Sequence, residues 1–158
     1  MSYISKLINI GSELDMQNFA IMLANVAQQG DVFLLDGELG VGKSFFSRQF
    51  INHLAQIQLG QQFQVPSPTF TLVQMYDQLS PPIWHFDLYR LSCADEAYEL
   101  GLEDALKQGI CLIEWPSRLD GDIPQNALTI LFKHKDQHSR TVEMMMTESW
   151  AKRLETTP

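Results

Sequence analysis

The sequence predicts an α/β protein with a mainly parallel central sheet flanked by helices, and with an antiparallel hairpin towards its C-terminal end. Three observations lead to this prediction. The apolar segment 32–35 is uninterrupted, as in a parallel strand buried on both faces. A glycine-rich loop follows it, and apolar residues then recur at helical spacing, at Phe46, Phe50, Leu54 and Ile57. A second uninterrupted segment, 110–113, is another buried-strand candidate.

The glycine-rich loop, residues 37–44, fits the pattern G-x-x-x-x-G-K-[ST]. Its glycines let backbone N–H groups approach a triphosphate closely, and the following helix directs its positive dipole end at the same anion. In this pattern Lys43 reaches the β and γ phosphates, and Ser44 offers a hydroxyl to Mg²⁺. A glycine-rich turn with a solvated lysine is the alternative. The flanking strand and helix favour nucleotide binding and a P-loop NTPase-like fold.

Composition and charge limit the possible classes of protein. At 158 residues, residues 1–158 are expected to form one domain. The formal net charge of −8 argues against a large nucleic-acid surface. No apolar run approaches the about 18 residues of a membrane span, and the first residues lack the order of a signal peptide. Two cysteines are too few for a disulfide framework, so a cytoplasmic location is predicted.

The elements before and after the loop can be predicted in order. Residues 1–10 favour an edge strand, and Ser12 favours the N-cap of a helix that Gly30 ends. Beyond the loop helix, two prolines make residues 65–68 a stiff loop, after which residues 69–76 are expected to resume as a strand.

The second half of the chain contains two further strand candidates, residues 83–90 and 110–116. Between them, residues 92–107 have helical character, which Gly101 is expected to interrupt. After Pro124 the alternating pattern predicts a terminal hairpin. The last ~10 residues are polar and are expected to be mobile.

Hydroxyl groups at Ser67, Thr69 and Thr71 lie on and just after the proline loop. In many nucleotide hydrolases such a segment senses the γ phosphate and closes over Mg²⁺. A proline turn that merely leads into a strand explains the same residues equally well. The two interpretations stay open at this point.

Two acids follow the strand candidates and are candidates for the metal site. Asp87 follows residues 83–86, and Glu114 follows residues 110–113. The second strand is more uniformly apolar and fits the centre of the sheet better, so Glu114 is assigned to Mg²⁺. Asp87 is then available to orient or deprotonate the attacking water, or to hold Mg²⁺ through water. Trp115 could stack on a base or on a partner, or pack under the loop.

Taken together, these segments resemble the TsaE (YjeE) family of P-loop ATPases from bacterial tRNA threonylcarbamoyladenosine synthesis. The resemblance runs from about residue 12 to residue 142, with two small departures, Ser44 for the usual Thr and Val41 for the usual Ala. The matching segments, in the order of the family, are 37–44, 65–72, 85–90, 99–102 and 113–116.

The resemblance implies an ATPase that uses ATP and Mg²⁺ and works with the TsaD and TsaB proteins, touching tRNA only indirectly. It implies that Lys43, Asp87 and Thr69 act near the γ phosphate, and that Ser44 and Glu114 bind Mg²⁺. The nucleotide-binding residues it implies are Gly37, Glu38, Leu39, Gly40, Val41, Gly42, Lys43, Ser44, Phe45, Trp115 and Arg140.

Two other functions use the same loop. A small-molecule kinase would need an acceptor pocket and usually a lid rich in arginine, whereas the five arginines here are not clustered. A nucleotide-binding switch without catalysis would need no water-activating acid, and Asp87 argues against it. Slow turnover is expected for the ATPase itself, because Arg48, Arg90 and Arg118 are the only nearby candidates for an arginine finger.

Overall fold

The computed structural model describes residues 3–156. Within these residues the chain forms one sheet with helices on both faces. The strands are β1 (Ile4–Ile10), β2 (Val32–Asp36), β3 (Val73–Tyr76), β4 (Ile83–Asp87), β5 (Ile110–Glu114), β6 (Leu128–His134) and β7 (Arg140–Met146). The helices are α1 (Glu13–Val26), α2 (Lys43–Leu59), α3 (Asp95–Glu99), α4 (Leu102–Gln108) and α5 (Glu148–Glu155), with a 3-10 helix at Pro116–Leu119. None of these helices is both long and apolar enough to cross a bilayer.

The strand order β1-β7-β6-β2-β5-β4-β3 confirms the predicted architecture. The four central strands β6, β2, β5 and β4 run parallel to one another. The outer pairings, β1 with β7, β7 with β6 and β3 with β4, are antiparallel, and β6 with β7 is the predicted hairpin. As expected, β5 lies directly beside β2, so Glu114 ends the strand next to the glycine loop.

Strand β2 explains why the loop has a rigid base. Val32, Phe33, Leu34 and Leu35 are all buried, as the uninterrupted apolar segment predicts. Phe33 and Leu35 pack in the core that contains α1, α2 and α5, whereas Val32 and Leu34 pack in the core that contains α3 and α4. The strand is therefore held from both faces up to the point where the loop begins.

Strand β3 is shorter than predicted. Residues 69–76 were expected to form one strand, but β3 begins only at Val73. The backbone N–H of Leu72 bonds to the carbonyl of Pro68 at 2.7 Å, and Leu72 itself has a φ of 72°. The chain thus makes a tight turn after the prolines, which keeps Thr69 in a loop.

Helix boundaries agree with the sequence in two places and differ in one. Ser12 caps α1 by accepting a hydrogen bond from the N–H of Asp15, and Gly101, with a φ of 94°, separates α3 from α4 as predicted. However, α1 ends at Val26 rather than at Gly30, because Ala27 is already extended.

The C-terminal segment corrects the expectation of a mobile tail. Residues 148–155 form α5, and the Trp150 side chain is completely buried. Its ring lies 5.4 Å from that of Phe33, and its indole N–H donates to the carbonyl of Asn126 at 2.7 Å. Arg153 bonds to Asp31 at 2.6 Å, next to the start of β2. Residues 157 and 158 of the predicted tail lie outside the described residues.

Candidate nucleotide site

The loop between β2 and α2 has the backbone geometry of a phosphate cradle. Gly37, Gly40 and Gly42 have φ angles of 147°, 77° and 120°, which residues with a side chain rarely adopt. A Cβ atom on Gly37 would lie 2.7 Å from the carbonyl oxygen of Phe132, so only glycine fits there. Gly42 is the N-cap of α2 and offers no side-chain cap, which leaves the N–H groups of the first turn available to an anion.

Lys43 is held under this loop and not extended into solvent. Its side chain is 4 % exposed, and its ammonium group donates a hydrogen bond to the carbonyl of Gly37 at 2.5 Å. The same group lies 3.7 Å from the centroid of the Trp115 ring. Burial lowers the pKa of Lys43 from its ordinary value, and the nearby carboxylates of Glu114, Asp87 and Asp36 oppose that shift.

The two predicted acids lie side by side. Asp87 and Glu114 are register partners at the carboxyl ends of the parallel strands β4 and β5. Asp87 accepts a hydrogen bond from the Thr69 hydroxyl at 3.2 Å and another from the backbone N–H of Tyr89 at 3.0 Å. Glu114 is bonded at 2.7 Å to the ring of His85. Hydrogen bonds thus hold both carboxyl groups in place at the carboxyl ends of the strands, where parallel α/β proteins bind ligands.

The hydroxyl groups of Ser67, Thr69 and Thr71, on and just after the proline loop, have different hydrogen-bond partners. The Ser67 and Thr69 hydroxyls bond to each other at 2.8 Å, and Thr69 bonds onward to Asp87. Thr71 instead accepts a hydrogen bond from the side chain of Gln74, which lies on β3. The structure therefore brings Thr69, but not Thr71, to the acid pair.

A cavity of about 250 Å³ unites these groups. Its side-chain oxygen atoms belong to two hydroxyls, of Ser44 and Thr69, and to two carboxylates, and oxygen is the ligand that Mg²⁺ prefers. Across residues 3–156 no three His, Cys, Asp or Glu side chains form a ready-made metal cage. The lining residues are Leu39, Gly40, Gly42, Lys43, Ser44, Phe45, Thr69, Asp87, Glu114 and Trp115.

A second cavity, of about 380 Å³, lies on the other side of the loop and shares Gly40, Gly42 and Phe45 with the first. The N-terminal end of α1, including Ser12 and Met16, forms one wall, and the turn of the β6–β7 hairpin forms another. Arg140 lines this cavity and donates a hydrogen bond to the carbonyl of Val41 at 3.2 Å. Arg140 is therefore next to the loop, although it is almost a hundred residues from it in the chain.

Two loop residues and the three candidate arginines lie at the border of the site or outside it. Glu38 is exposed, and Leu39, which lines the smaller cavity, is 66 % exposed. Arg90 lies over the Phe70 ring, and Arg118 lies over the Tyr89 ring, at 5.5 and 5.8 Å from the respective centroids. Arg48 lines a different cavity.

Two side chains near the site were missed in the sequence. Asp36 is the last residue of β2, and its charge raises the pKa of Lys43. His85 forms a hydrogen bond with Glu114. His85 lies two residues before Asp87, so the two-residue period of a strand places both on the same face of the sheet. That spacing was the signal available in the sequence.

Comparison with known proteins gives consistent results. The family model described as "Threonylcarbamoyl adenosine biosynthesis protein TsaE" matches residues 10–142. A tRNA threonylcarbamoyladenosine biosynthesis protein TsaE from Rickettsia typhi is 36 % identical over 131 residues, which cover 83 % of this chain and 88 % of that protein. The protein of the same name from Bacillus subtilis is 36 % identical over 124 residues, covering 78 % and 74 %. The crystal structure of Bacillus subtilis YdiB superposes with a TM-score of 0.76 at 26 % identity, covering 98 % of this chain and 93 % of that one.

Proposed function

Because this chain belongs to the TsaE family of tRNA threonylcarbamoyladenosine biosynthesis proteins, we propose that it binds ATP with Mg²⁺ and slowly hydrolyses it as a subunit of that machinery. The observation that supports this proposal is that glycines of the phosphate loop, a buried lysine and two neighbouring carboxylates all line one cavity of about 250 Å³. A phosphate-binding loop alone supports binding, whereas an acid next to it supports hydrolysis.

The two cavities suggest how the nucleotide lies. The phosphates would occupy the smaller cavity, where the loop N–H groups, Lys43 and the dipole of α2 supply positive charge. The base and ribose would then extend into the larger cavity lined by Arg140, because the two cavities meet at the loop. Trp115 lines the smaller cavity next to Lys43, which supports a position near the phosphates for this side chain.

The residues have distinct roles in hydrolysis. Ser44 and Glu114 would hold Mg²⁺, which when bound neutralises charge on the β and γ phosphate oxygens. Asp87 would orient the attacking water and accept its proton, since its carboxylate is held in one orientation by Thr69 and by the N–H of Tyr89. Lys43 and the loop N–H groups would stabilise the charge of the transferred phosphoryl group.

The resemblance also suggests the partners, TsaD and TsaB. A formal net charge of −8 suits a subunit that meets tRNA only through other proteins. The two cysteines are free thiols, in keeping with the predicted cytoplasmic location. The described arginines near the site are engaged with aromatic rings or with the backbone, so slow hydrolysis by the isolated chain is expected.

The test is a hydrolysis assay with γ-labelled ATP and Mg²⁺, with and without TsaD and TsaB. The proposal expects ADP and inorganic phosphate in equal amounts, ATP-dependent binding to the TsaD–TsaB pair, and a change in rate when the pair is present. Formation of ADP without inorganic phosphate, in the presence of a mixture of metabolites, would instead identify a small-molecule kinase. Absence of binding to the pair in both nucleotide states would contradict the partner assignment.

A further inference from the structure

His85 is a buried histidine in β4 that the proposed chemistry does not use. Its side chain is 1 % exposed, and its neighbours in the strand, Trp84 and Phe86, pack on the opposite face of the sheet. His85 faces the same side as Asp87, two residues later, and lies one step deeper in the sheet. It is therefore directly beneath the acid pair, between that pair and the core.

The contact between His85 and Glu114 is short and buried. The Nε2 atom of His85 lies 2.7 Å from Oε2 of Glu114, whose side chain is 3 % exposed. An ionised carboxylate only accepts hydrogen bonds, so Nε2 carries the hydrogen and donates it. The bond uses one carboxylate oxygen, which leaves Oε1 of Glu114 for a ligand in the cavity.

The other ring nitrogen shows that packing does not explain this histidine. Nδ1 of His85 is buried and has no hydrogen-bond partner. A buried polar atom without a partner is unfavourable, because it has lost its hydrogen bonds to water. An apolar residue such as Ile83, which lies on the same face of β4, would fill the space without that cost. Something other than packing must account for the Nε2 donor.

Lys43 gives a physical reason for that donor. Among the neighbouring carboxylates, Glu114 raises the pKa of Lys43 most strongly, ahead of Asp87 and Asp36. A glutamate side chain with no other partner would be drawn to this lysine, and both groups would then be withdrawn from the nucleotide. The hydrogen bond from His85 holds the Glu114 carboxylate on the core side of the site, and the Lys43 ammonium donates instead to the carbonyl of Gly37.

We propose that His85 is a positioning residue that holds Oε2 of Glu114 so that Oε1 faces the cavity as a ligand for Mg²⁺. This inference rests on the proposed function and deepens it. Residues that hydrogen-bond a metal ligand commonly change metal affinity when they are replaced, although they do not touch the metal.

The test compares His85→Gln with His85→Asn. Both variants bury an amide of similar polarity, but only the glutamine amide nitrogen reaches the position of Nε2. The measured quantity is the Mg²⁺-dependent gain in affinity for a fluorescent ATP analogue, taken as the ratio of the dissociation constants in EDTA and in Mg²⁺. The gain should survive in His85→Gln and fall by roughly 10-fold or more in His85→Asn. The affinity in EDTA should change in neither variant.

Equal gains in the two variants would overturn the proposal, whether both keep the wild-type value or both lose it. Loss of folding in both variants, seen by circular dichroism, would also overturn it, because His85 would then have a structural role. Wild-type protein that gains no affinity from Mg²⁺ would contradict the proposed function itself. That failure is thus distinguishable from failure of the inference about His85.

Discussion

The Lys43 ammonium group lies between the Trp115 ring, 3.7 Å from its centroid, and the carbonyl oxygen of Gly37, to which it donates a hydrogen bond. Both contacts use the charge that a triphosphate would use. An incoming nucleotide must therefore compete with an aromatic face and a backbone oxygen for the same group. Since Trp115 has a left-handed φ of 60°, its ring is placed there by an uncommon backbone conformation.

Replacing Lys43 by Ala should strongly weaken nucleotide binding. Hydrogen bonds to charged groups contribute about 1.5–3 kcal/mol each, so affinity should fall by on the order of 10- to 100-fold or more. Titration with a fluorescent ATP analogue measures this loss. Lys152→Ala is the matched control, because that lysine is 74 % exposed and forms its ion pair with Glu148 on the same helix. Near-normal binding by the Lys43 variant would end the phosphate-site assignment.

Replacing Asp87 by Ala should separate binding from hydrolysis. The carboxylate is assigned to the attacking water, so ATP affinity should stay close to that of the wild type while turnover falls by roughly 10²–10⁴-fold. Equilibrium binding and a phosphate-release assay on the same preparation measure the two effects. Loss of binding together with turnover would give Asp87 a structural role.

Replacing Glu114 by Ala should raise the Mg²⁺ concentration needed for half-maximal hydrolysis. The reason is the loss of a carboxylate ligand, which saturating metal can partly offset. The measurement is a Mg²⁺ titration at fixed ATP, run in parallel with the Asp87 variant. A metal titration that shifts for Asp87→Ala and not for Glu114→Ala would exchange the assignments of the two acids.

Replacing Trp150 by Ala should destabilise the protein, because this side chain fills the core behind the loop strand. Large-to-small changes of buried aromatic residues lower the free energy of unfolding by about 3–5 kcal/mol. Urea denaturation followed by circular dichroism measures the change. Lys152→Ala, on the exposed side of the same helix, should change it by no more than about 0.5 kcal/mol. Equal effects of the two variants would contradict the packing of α5.

The two cysteines should differ in reactivity. Cys93 is exposed, whereas Cys111 is completely buried in β5, and burial raises the pKa of the Cys111 thiol to about 12. Because the thiolate is the reactive form, only Cys93 should react with a thiol reagent in the native protein at pH 8. One thiol should therefore titrate in native protein and two in denaturant, and none in native Cys93→Ser. Rapid reaction of the second thiol without denaturant would contradict the burial of β5.

The sequence predicted those parts of the fold and site whose signals are local. The loop glycines, Lys43 and Ser44 are contiguous, and the buried strand before them is a simple apolar run. Asp87 and Glu114 could be proposed together because each directly follows a strand segment. Their pairing in space follows from the parallel pairing of β4 with β5, which the sequence alone did not establish.

What the sequence did not predict depends on contacts between distant residues. The bond from His85 to Glu114 requires the register of two strands and the conformations of two side chains. The burial of Trp150 requires the position of α5 on the sheet, although Trp150 and Leu154 do have the spacing of one helical face. The turn at Leu72 depends on a left-handed backbone angle at a residue that rarely adopts it.

Strand β7, the last strand in the chain, extends beyond the segment that matches the family model. The match ends at residue 142, while β7 continues to Met146 and pairs along its whole length with β1. A shortened gene product that stopped at the end of the match would lose four of the seven register pairs between β7 and β1. It would also lose α5, whose Trp150 ring packs against Phe33. The recognisable motif region is thus smaller than the unit that folds, and a minimal expression fragment should retain residues 143–155.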